Sequence, residues 1–231
     1  MLERRLEPEV MDTSEDALDY DTMDHSSVNR AFADHFLEFA RVIGFEQCLF
    51  DQERRLRLLD VGTGTALIPI ELCSRQISGH ILAIDLAGEM LKLAIRNIVR
   101  AGLSDQIQTA RIDAKQLPHD DGTFDAVVSN SIVHHIPRPQ AVIAEMIRVL
   151  RRGGLLFVRD LLRPESQSDI DRIVAAYAGQ ENAHSQQLFR DSLHAALSLA
   201  EIRELFGRQG VPPLAVAQTS DRHWTLAWSK D

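Results

Sequence analysis

Between residues 56 and 160 the hydrophobic and polar positions alternate between two periodicities. Short apolar runs at 56–61, 80–85, 106–112, 124–130 and 155–160 have the length and apolar content of buried strands. The stretches 66–75, 87–101 and 139–150 between them carry apolar residues at helical spacing. Gly102 closes one of these helices, and Arg151-Arg152-Gly153-Gly154 reads as the basic-then-glycine end of the 139–150 helix. Strands alternating with helices predict βαβ units, and so a mainly parallel sheet covered by helices on both faces. Such sheets take ligands at the carboxyl ends of their strands, near the point where strand order reverses.

The flanks follow other rhythms. Residues 1–20 are polar and acidic, with a short helix expected after Thr13. Ser26-Ser27 is the expected N-cap of a helix whose Val28, Phe32, Phe36 and Phe39 fall on one face. After Asp160 two helices are predicted, at 166–178 and 186–196. Ser198-Leu199-Ala200-Glu201 is a capping-box pattern opening a helix that ends at Gly210. Runs at 216–219 and 224–228 then form a closing hairpin. The chain therefore reads as one domain, with a helical lid over 1–45, a ligand-binding core at 56–160, a helical insert at 161–210 and the hairpin at 211–231.

Composition narrows the functional class. With 45% hydrophobic and 26% charged residues, the 231-residue chain is an ordinary globular one. No apolar run approaches the ~20 residues of a membrane helix, and the first residues lack the apolar region of a secretory signal. Cys48 and Cys73 alone suggest reduced thiols and a cytoplasmic setting. A net charge of −9 without a basic stripe disfavours a nucleic-acid partner.

The chemistry gathers at the strand ends. Asp60-Val61-Gly62-Thr63-Gly64-Thr65 lies where a strand gives way to a helix, and glycines there let a ligand approach the backbone. The third glycine of a dinucleotide fingerprint is replaced by Leu67, which argues against NAD or FAD. Asp85 closes the next strand, where a carboxylate accepts hydrogen bonds from ribose hydroxyls or caps the following helix. Asp113 and Asn130 close the next two. Successive strands thus end in polar residues on one edge of the sheet.

In this order the segments resemble the motifs of class I S-adenosyl-L-methionine (AdoMet)-dependent methyltransferases. Leu58-Leu59-Asp60-Val61-Gly62-Thr63-Gly64-Thr65 is similar to their first motif, and Ala83-Ile84-Asp85 with Met90 to the ribose and adenine segment. Asp113-Ala114, Leu117-Pro118 and Phe124-Asp125 resemble the adenine contact and the next strand. Ser129-Asn130-Ser131-Ile132-Val133-His134-His135-Ile136 and Val149-Leu150-Arg151-Arg152-Gly153-Gly154 resemble later motifs of the ubiquinone/menaquinone-type members. The likeness covers about residues 56–160. It implies a Rossmann-like α/β fold with a sheet ordered 3-2-1-4-5-7-6, strand 7 antiparallel. It implies AdoMet as methyl donor and S-adenosyl-L-homocysteine as product. Asp60 and the backbone of Gly62, Thr63 and Gly64 would lie near the methionine portion, Asp85 on the ribose, Asp113 and Ala114 at the adenine, and Asn130 beside the methionine portion. Leu86, Met90 and, from the lid, Tyr20 are expected on the same cofactor side.

Acceptor-side residues are harder to place. Displacement at a sulfonium needs positioning and a dry pocket, and a base only when the nucleophile arrives protonated. His134, His135 and His25 are the candidate acid/base groups. Packing or capping competes with that role; for His25, beside Asp24, capping the helix at Ser26 is the stronger reading. No metal site is expected, because side chains of adjacent histidines should point apart and no nearby spacing completes a ligand set. Arg159, Asp160, Arg190, Arg222 and His223 are the candidates to recognise a carboxylate or phosphate on a small-molecule acceptor. Each arginine has an adjacent aspartate as a competing partner: Asp160, Asp191 and Asp221. The alternatives are methylation of tRNA or protein, or a non-catalytic AdoMet-binding domain; a monomer or homodimer fits either.

Overall fold

The protein is described by a computed structural model covering residues 2–10 and 12–231. Its centre is a seven-stranded sheet ordered β3-β2-β1-β4-β5-β7-β6. The strands are β1 (Leu56–Val61), β2 (Gly79–Asp85), β3 (Ile107–Arg111), β4 (Phe124–Asn130), β5 (Leu150–Leu161), β6 (Val216–Gln218) and β7 (His223–Ser229). β1 to β5 run parallel, and β7 is antiparallel to both its neighbours. Order and direction agree with what the motif resemblance implies. Strand order reverses between β1 and β4, which puts the crevice at the carboxyl ends of those two strands.

Residue parity along each strand builds two cores. Leu58, Ala83, Ala126, Val128, Leu155 and Phe157 point to one face, where α2 (Ser26–Val42), α4 (Leu67–Ser74) and α5 (Gly88–Ala101) cover them. Leu59, Val61, Ile84, Val127, Leu156 and Val158 point to the other, under α6 (Gln140–Val149) and α9 (Leu199–Gly207). Phe32 and Phe36 of α2 are fully buried and meet the Phe157 ring edge-on, at centroid distances of 5.0 and 5.8 Å. The periodicity expected for that helix is realised, and it anchors the N-terminal region to the sheet.

Beyond the core lie α7 (Gln167–Ala178) and α8 (Ala183–Ala195), packed on each other, and the N-terminal α1 (Ser14–Thr22). Residues 2–10 form an extended strap. Arg5 donates its N–H to the His194 carbonyl at 3.0 Å, and Arg4 reaches the carbonyls of Ala195, His134 and Ile136. The Ser198–Glu201 capping box forms as expected.

Three elements differ from expectation. β5 begins at Leu150, not 155: α6 stops at Val149 and the chain extends at once, with a register shift against β4 between Phe124 and Ala126. Arg151 there binds the Asp125 carboxylate at 2.6 Å, and Gly153 donates to the Lys230 carbonyl at 2.6 Å. The Arg-Arg-Gly-Gly run is therefore an irregular strand entry, not a helix end. The short helix α3 (Glu46–Phe50) is too brief to carry a periodicity. The N-cap position of α2 is His25, with Asp24 accepting the Ser26 N–H at 2.9 Å.

Removing one ring from the α2 contact should show how far α2 depends on it. Phe36→Ala is expected to destabilise the fold by about 3–5 kcal/mol in urea denaturation, and Phe36→Leu by clearly less.

Candidate functional site

The site starts from β1. Gly62 and Gly64 adopt φ of +72° and +55°, and the N–H groups of Gly62 and Thr63 both donate to the Ile84 carbonyl at 2.9 Å. A side chain at Gly62 would sit 2.1 Å from Ile132 Cγ2, so the loop closes against the turn after β4 only because that residue is glycine. Asp85, at the end of β2, fixes the loop from the other side. Its Oδ2 accepts the Gly64 N–H at 2.8 Å and its Oδ1 the Ala87 N–H at 2.9 Å. Asp85 therefore holds the backbone at Ala87 just before α5, whose N-cap position has no side-chain cap, and its two oxygens bridge the loop and the entry to that helix.

A cavity opens beneath this loop. Asp60, Gly62, Thr63, Gly64, Asp85, Leu86, Met90, Asp113, Ala114, Asn130 and Tyr20 all line it. So do groups that no pattern singled out, among them Thr65, Lys115, Asn29 and Glu9. Thr65 follows directly from the loop; Glu9 comes from the extended strap, whose sequence has no period to read. Lys115 binds both Glu9 and Asp113, the latter at 3.2 Å.

The electrostatics are those of a site prepared for a cation. Asp60 is buried, and burial with the nearby Asp85 charge pushes its carboxyl up to about 7. Burial also raises Asp85, against the pull of the Ala87, Gly64 and Leu86 N–H groups. The buried Tyr20 hydroxyl, facing Asp85 and Asp60, is pushed to about 12 and stays neutral. Buried atoms Asp60 Oδ2, Thr63 Oγ1, Thr65 Oγ1 and Asn130 Oδ1 make no well-directed hydrogen bond, although the Thr63 hydroxyl lies near enough to Asp60 to pull its carboxyl down against burial. Unsatisfied acceptors and hydroxyls on this edge, beside the apolar Leu86, Met90 and Ile112, fit an adenosyl sulfonium compound with an amino-acid end.

A second cavity, of about 300 Å³, shares Tyr20, Asn29, Asn130, Ser131 and His135 with the first. His25 lines it, stacked on Tyr20 at a centroid distance of 4.4 Å, with its Nε2 2.8 Å from the Tyr20 carbonyl. Arg222 and His223 line it too. Arg222 lies over the Tyr177 ring at 3.3 Å and pairs with Asp221 at 3.2 Å. Burial and the charge of Arg222 push the His223 imidazole down to about 4.

His134 and His135 sit in a 3-10 turn after β4, and this places their rings side by side at 4.1 Å instead of apart. His134 is buried, and its Nδ1 meets Asp160 Oδ1 at 2.5 Å. Burial alone would lower its imidazole, but the Asp160 carboxylate outweighs burial and raises it. Asp160 also accepts the N–H groups of Val133 and Leu161, both at 2.6 Å. It is scaffold for the turn and lines neither cavity.

The other two arginines also lie elsewhere than expected. Arg159 points to the α2 face, bonding Thr225 Oγ1 at 3.0 Å and His35 Nδ1 at 2.5 Å, because alternate residues of a strand face opposite sides. Arg190 pairs with Asp171 of α7 and ties the two insert helices together. Of the three sequence-adjacent Asp–Arg pairs, only Asp221–Arg222 forms.

A glycine turn at the switch point, flanked by strand ends carrying Asp85 and Asn130, places a polar cavity where α/β proteins of this kind take their ligands. A methyltransferase-domain family profile matches residues 59–158. The malonyl-[acyl-carrier protein] O-methyltransferase of Geobacter sulfurreducens is 30% identical over 193 residues, 82% of this chain and 67% of that protein. The phosphatidylethanolamine N-methyltransferase of Cereibacter sphaeroides is 38% identical over 98 residues, 42% of this chain; the chain spans about half of that relative's length, 47%. A solved S-adenosyl-L-methionine-dependent methyltransferase structure from Methanococcus maripaludis superposes with a TM-score of 0.63 at 18% identity, over 98% of each chain. The chain belongs to the class I AdoMet-dependent methyltransferases.

The raised Asp60 carboxyl makes a prediction with a definite sign. Its folded-state pKa lies above the unfolded value, so the stability it contributes is present at low pH and is lost as pH rises through about 7. Asp60→Asn should therefore stabilise the ligand-free protein at pH 8, by on the order of 2 kcal/mol, with the gap closing towards pH 4. Urea denaturation at both pH values measures it.

Proposed function

We propose that the protein transfers a methyl group from AdoMet to a small-molecule acceptor carrying a carboxylate or phosphate. The observation that carries this reading is the shared wall. Tyr20, Asn130 and His135 face both cavities, so a donor in the first and an acceptor in the second meet across those residues.

The bound donor supplies a methyl group already activated on a sulfonium. What this chain adds is position and exclusion of water. Asp60 is placed to hold the cationic amino-acid end, and the Gly62–Gly64 backbone lies beside it. Asp85 spends one lone pair of each oxygen on the Gly64 and Ala87 N–H groups and retains capacity for ribose hydroxyls. Asp113 and Ala114 would hold the adenine, and Asn130 the methionine end. Tyr20 and the strap close the site from above.

On the acceptor side, Arg222 is the anchor for an anionic group. Its guanidinium plane is set by the Tyr177 ring, leaving N–H donors for a second partner besides Asp221. His223 is neutral at neutral pH and contributes a hydrogen bond, not a charge. The relatives' names include both N- and O-acceptors, so the acceptor class is taken from the cavity. His135 is the imidazole on the shared wall, within reach of a ligand in either cavity.

Calorimetry should show AdoMet and S-adenosyl-L-homocysteine binding to the protein and at least a tenfold loss in Asp85→Ala. Because Asp60 must be ionised to pair with a cation, affinity should fall as pH drops below about 7. Tight NADH binding without AdoMet binding would sink the reading. In a metabolite extract, turnover should appear as a mass gain of one methyl group. Arg222→Ala should raise KM for the acceptor about tenfold or more without changing AdoMet affinity.

A further inference from the structure

One cluster on the shared wall has more order than a lone base requires. Glu7 of the strap points Oε1 at the two histidines, 3.5 Å from His134 Nε2 and 3.0 Å from His135 Nδ1. The three ligating atoms lie within 4.8 Å of one another, and no other cluster of this kind occurs among the described residues. The Glu7 and His134 side chains are 9% and 3% exposed. Glu7 Oε1 and His135 Nδ1 are buried and make no well-directed hydrogen bond.

The two separations from Glu7 Oε1 match those of a ligand set without its ion. Oxygen and nitrogen atoms each ~2.0–2.2 Å from a tetrahedral zinc ion stand about 3.3 Å apart. Behind His134 is the outer partner that metal-bound histidines use: Asp160 takes the Nδ1 side at 2.5 Å and leaves Nε2 facing Glu7. Glu7 is fixed in turn by the Ser192 hydroxyl, which donates to Oε2 at 3.2 Å. Arg4, the nearby cation, is held on the backbone carbonyls of His134, Ile136 and Ala195.

We propose that Glu7, His134 and His135 bind a divalent transition-metal ion, with zinc as the best match. Two imidazoles and one carboxylate leave a coordination position open, as catalytic zinc sites do, and all three residues line the acceptor cavity. The role of the ion rests on the reading of that cavity given above. An acceptor hydroxyl, thiol or enol takes the open position and is acidified there, its proton leaving to solvent water. The heteroatom then bonds to the donor methyl, and the carbon–sulfur bond breaks with its electron pair left on sulfur.

The site itself is tested without turnover. The full-length, untagged chain is freed of metal with a chelator, then titrated with Zn2+, and separately with Co2+ while its visible spectrum is recorded. One equivalent is expected to bind, with Co2+ bands of four- or five-coordinate geometry. Glu7→Gln and His135→Asn should each weaken Zn2+ at least about 100-fold. Asp160→Asn should weaken it about 10–100-fold, as loss of an outer partner does. Glu7→Gln alters only the strap, so a folding failure in the core variant does not blunt the test. Failure to bind an equivalent, or binding that is the same in Glu7→Gln, overturns the proposal. AdoMet titration of the same metal-free sample reads the methyltransferase assignment independently: donor binding without zinc binding leaves it standing.

Discussion

The arrangement depends on one carboxylate, Asp85, bonded to two backbone segments at once. Its oxygens reach the Gly64 N–H of the loop after β1 and the Ala87 N–H just before α5. Both segments approach because parallel pairing aligns Val61 with Ile84, so neighbouring strands end level. The Ile84 carbonyl then receives the Gly62 and Thr63 N–H groups, and the loop is pinned at both ends. A loop with three donors spent on its neighbours cannot collapse into the crevice. The space beneath it persists as a cavity, and the fold needs no ligand to shape it.

That preorganisation has an electrostatic cost. Asp60, Asp85 and Tyr20 face one another in a site with little water, and burial pushes all three towards their neutral forms. A folded chain without counter-charge there holds Asp60 partly protonated near neutral pH. A cationic ligand removes the conflict, which is why the same groups that weaken the empty protein favour binding. Groups kept at odds with stability in this way are characteristic of a functional site. Asp160 is different: also buried, it is satisfied by three backbone N–H groups and an imidazole, and its carboxyl is held low.

Much of the lining of the first cavity is legible in the sequence because it obeys local rules. Asp60, Asp85, Asp113 and Asn130 lie at or just after strand ends, and strand ends can be located from apolar runs. The same logic misplaced Arg159. Being at the end of β5 is not enough, since parity decides which face a side chain takes, and Arg159 shares its face with Phe157. The start of β5 was hidden because basic residues followed by glycines also form the usual end of a helix. Glu7 and Glu9 could not be found at all. They belong to an extended strap without periodicity, and their partners lie more than a hundred residues away in sequence, as with Lys115.

The strap also forms part of the wall of the second cavity. Residues 2–10 cross from α8 to the 3-10 turn at Val133–His135, held by arginine side chains on backbone carbonyls and not by apolar packing alone. Glu7 and Pro8 line the second cavity, while Glu9 lines the first. One short segment therefore borders both cavities. Its displacement would open the acceptor side and disconnect Glu7 from the histidines in the same motion. The nine residues 2–10 thus join the walls of both cavities to the histidine turn.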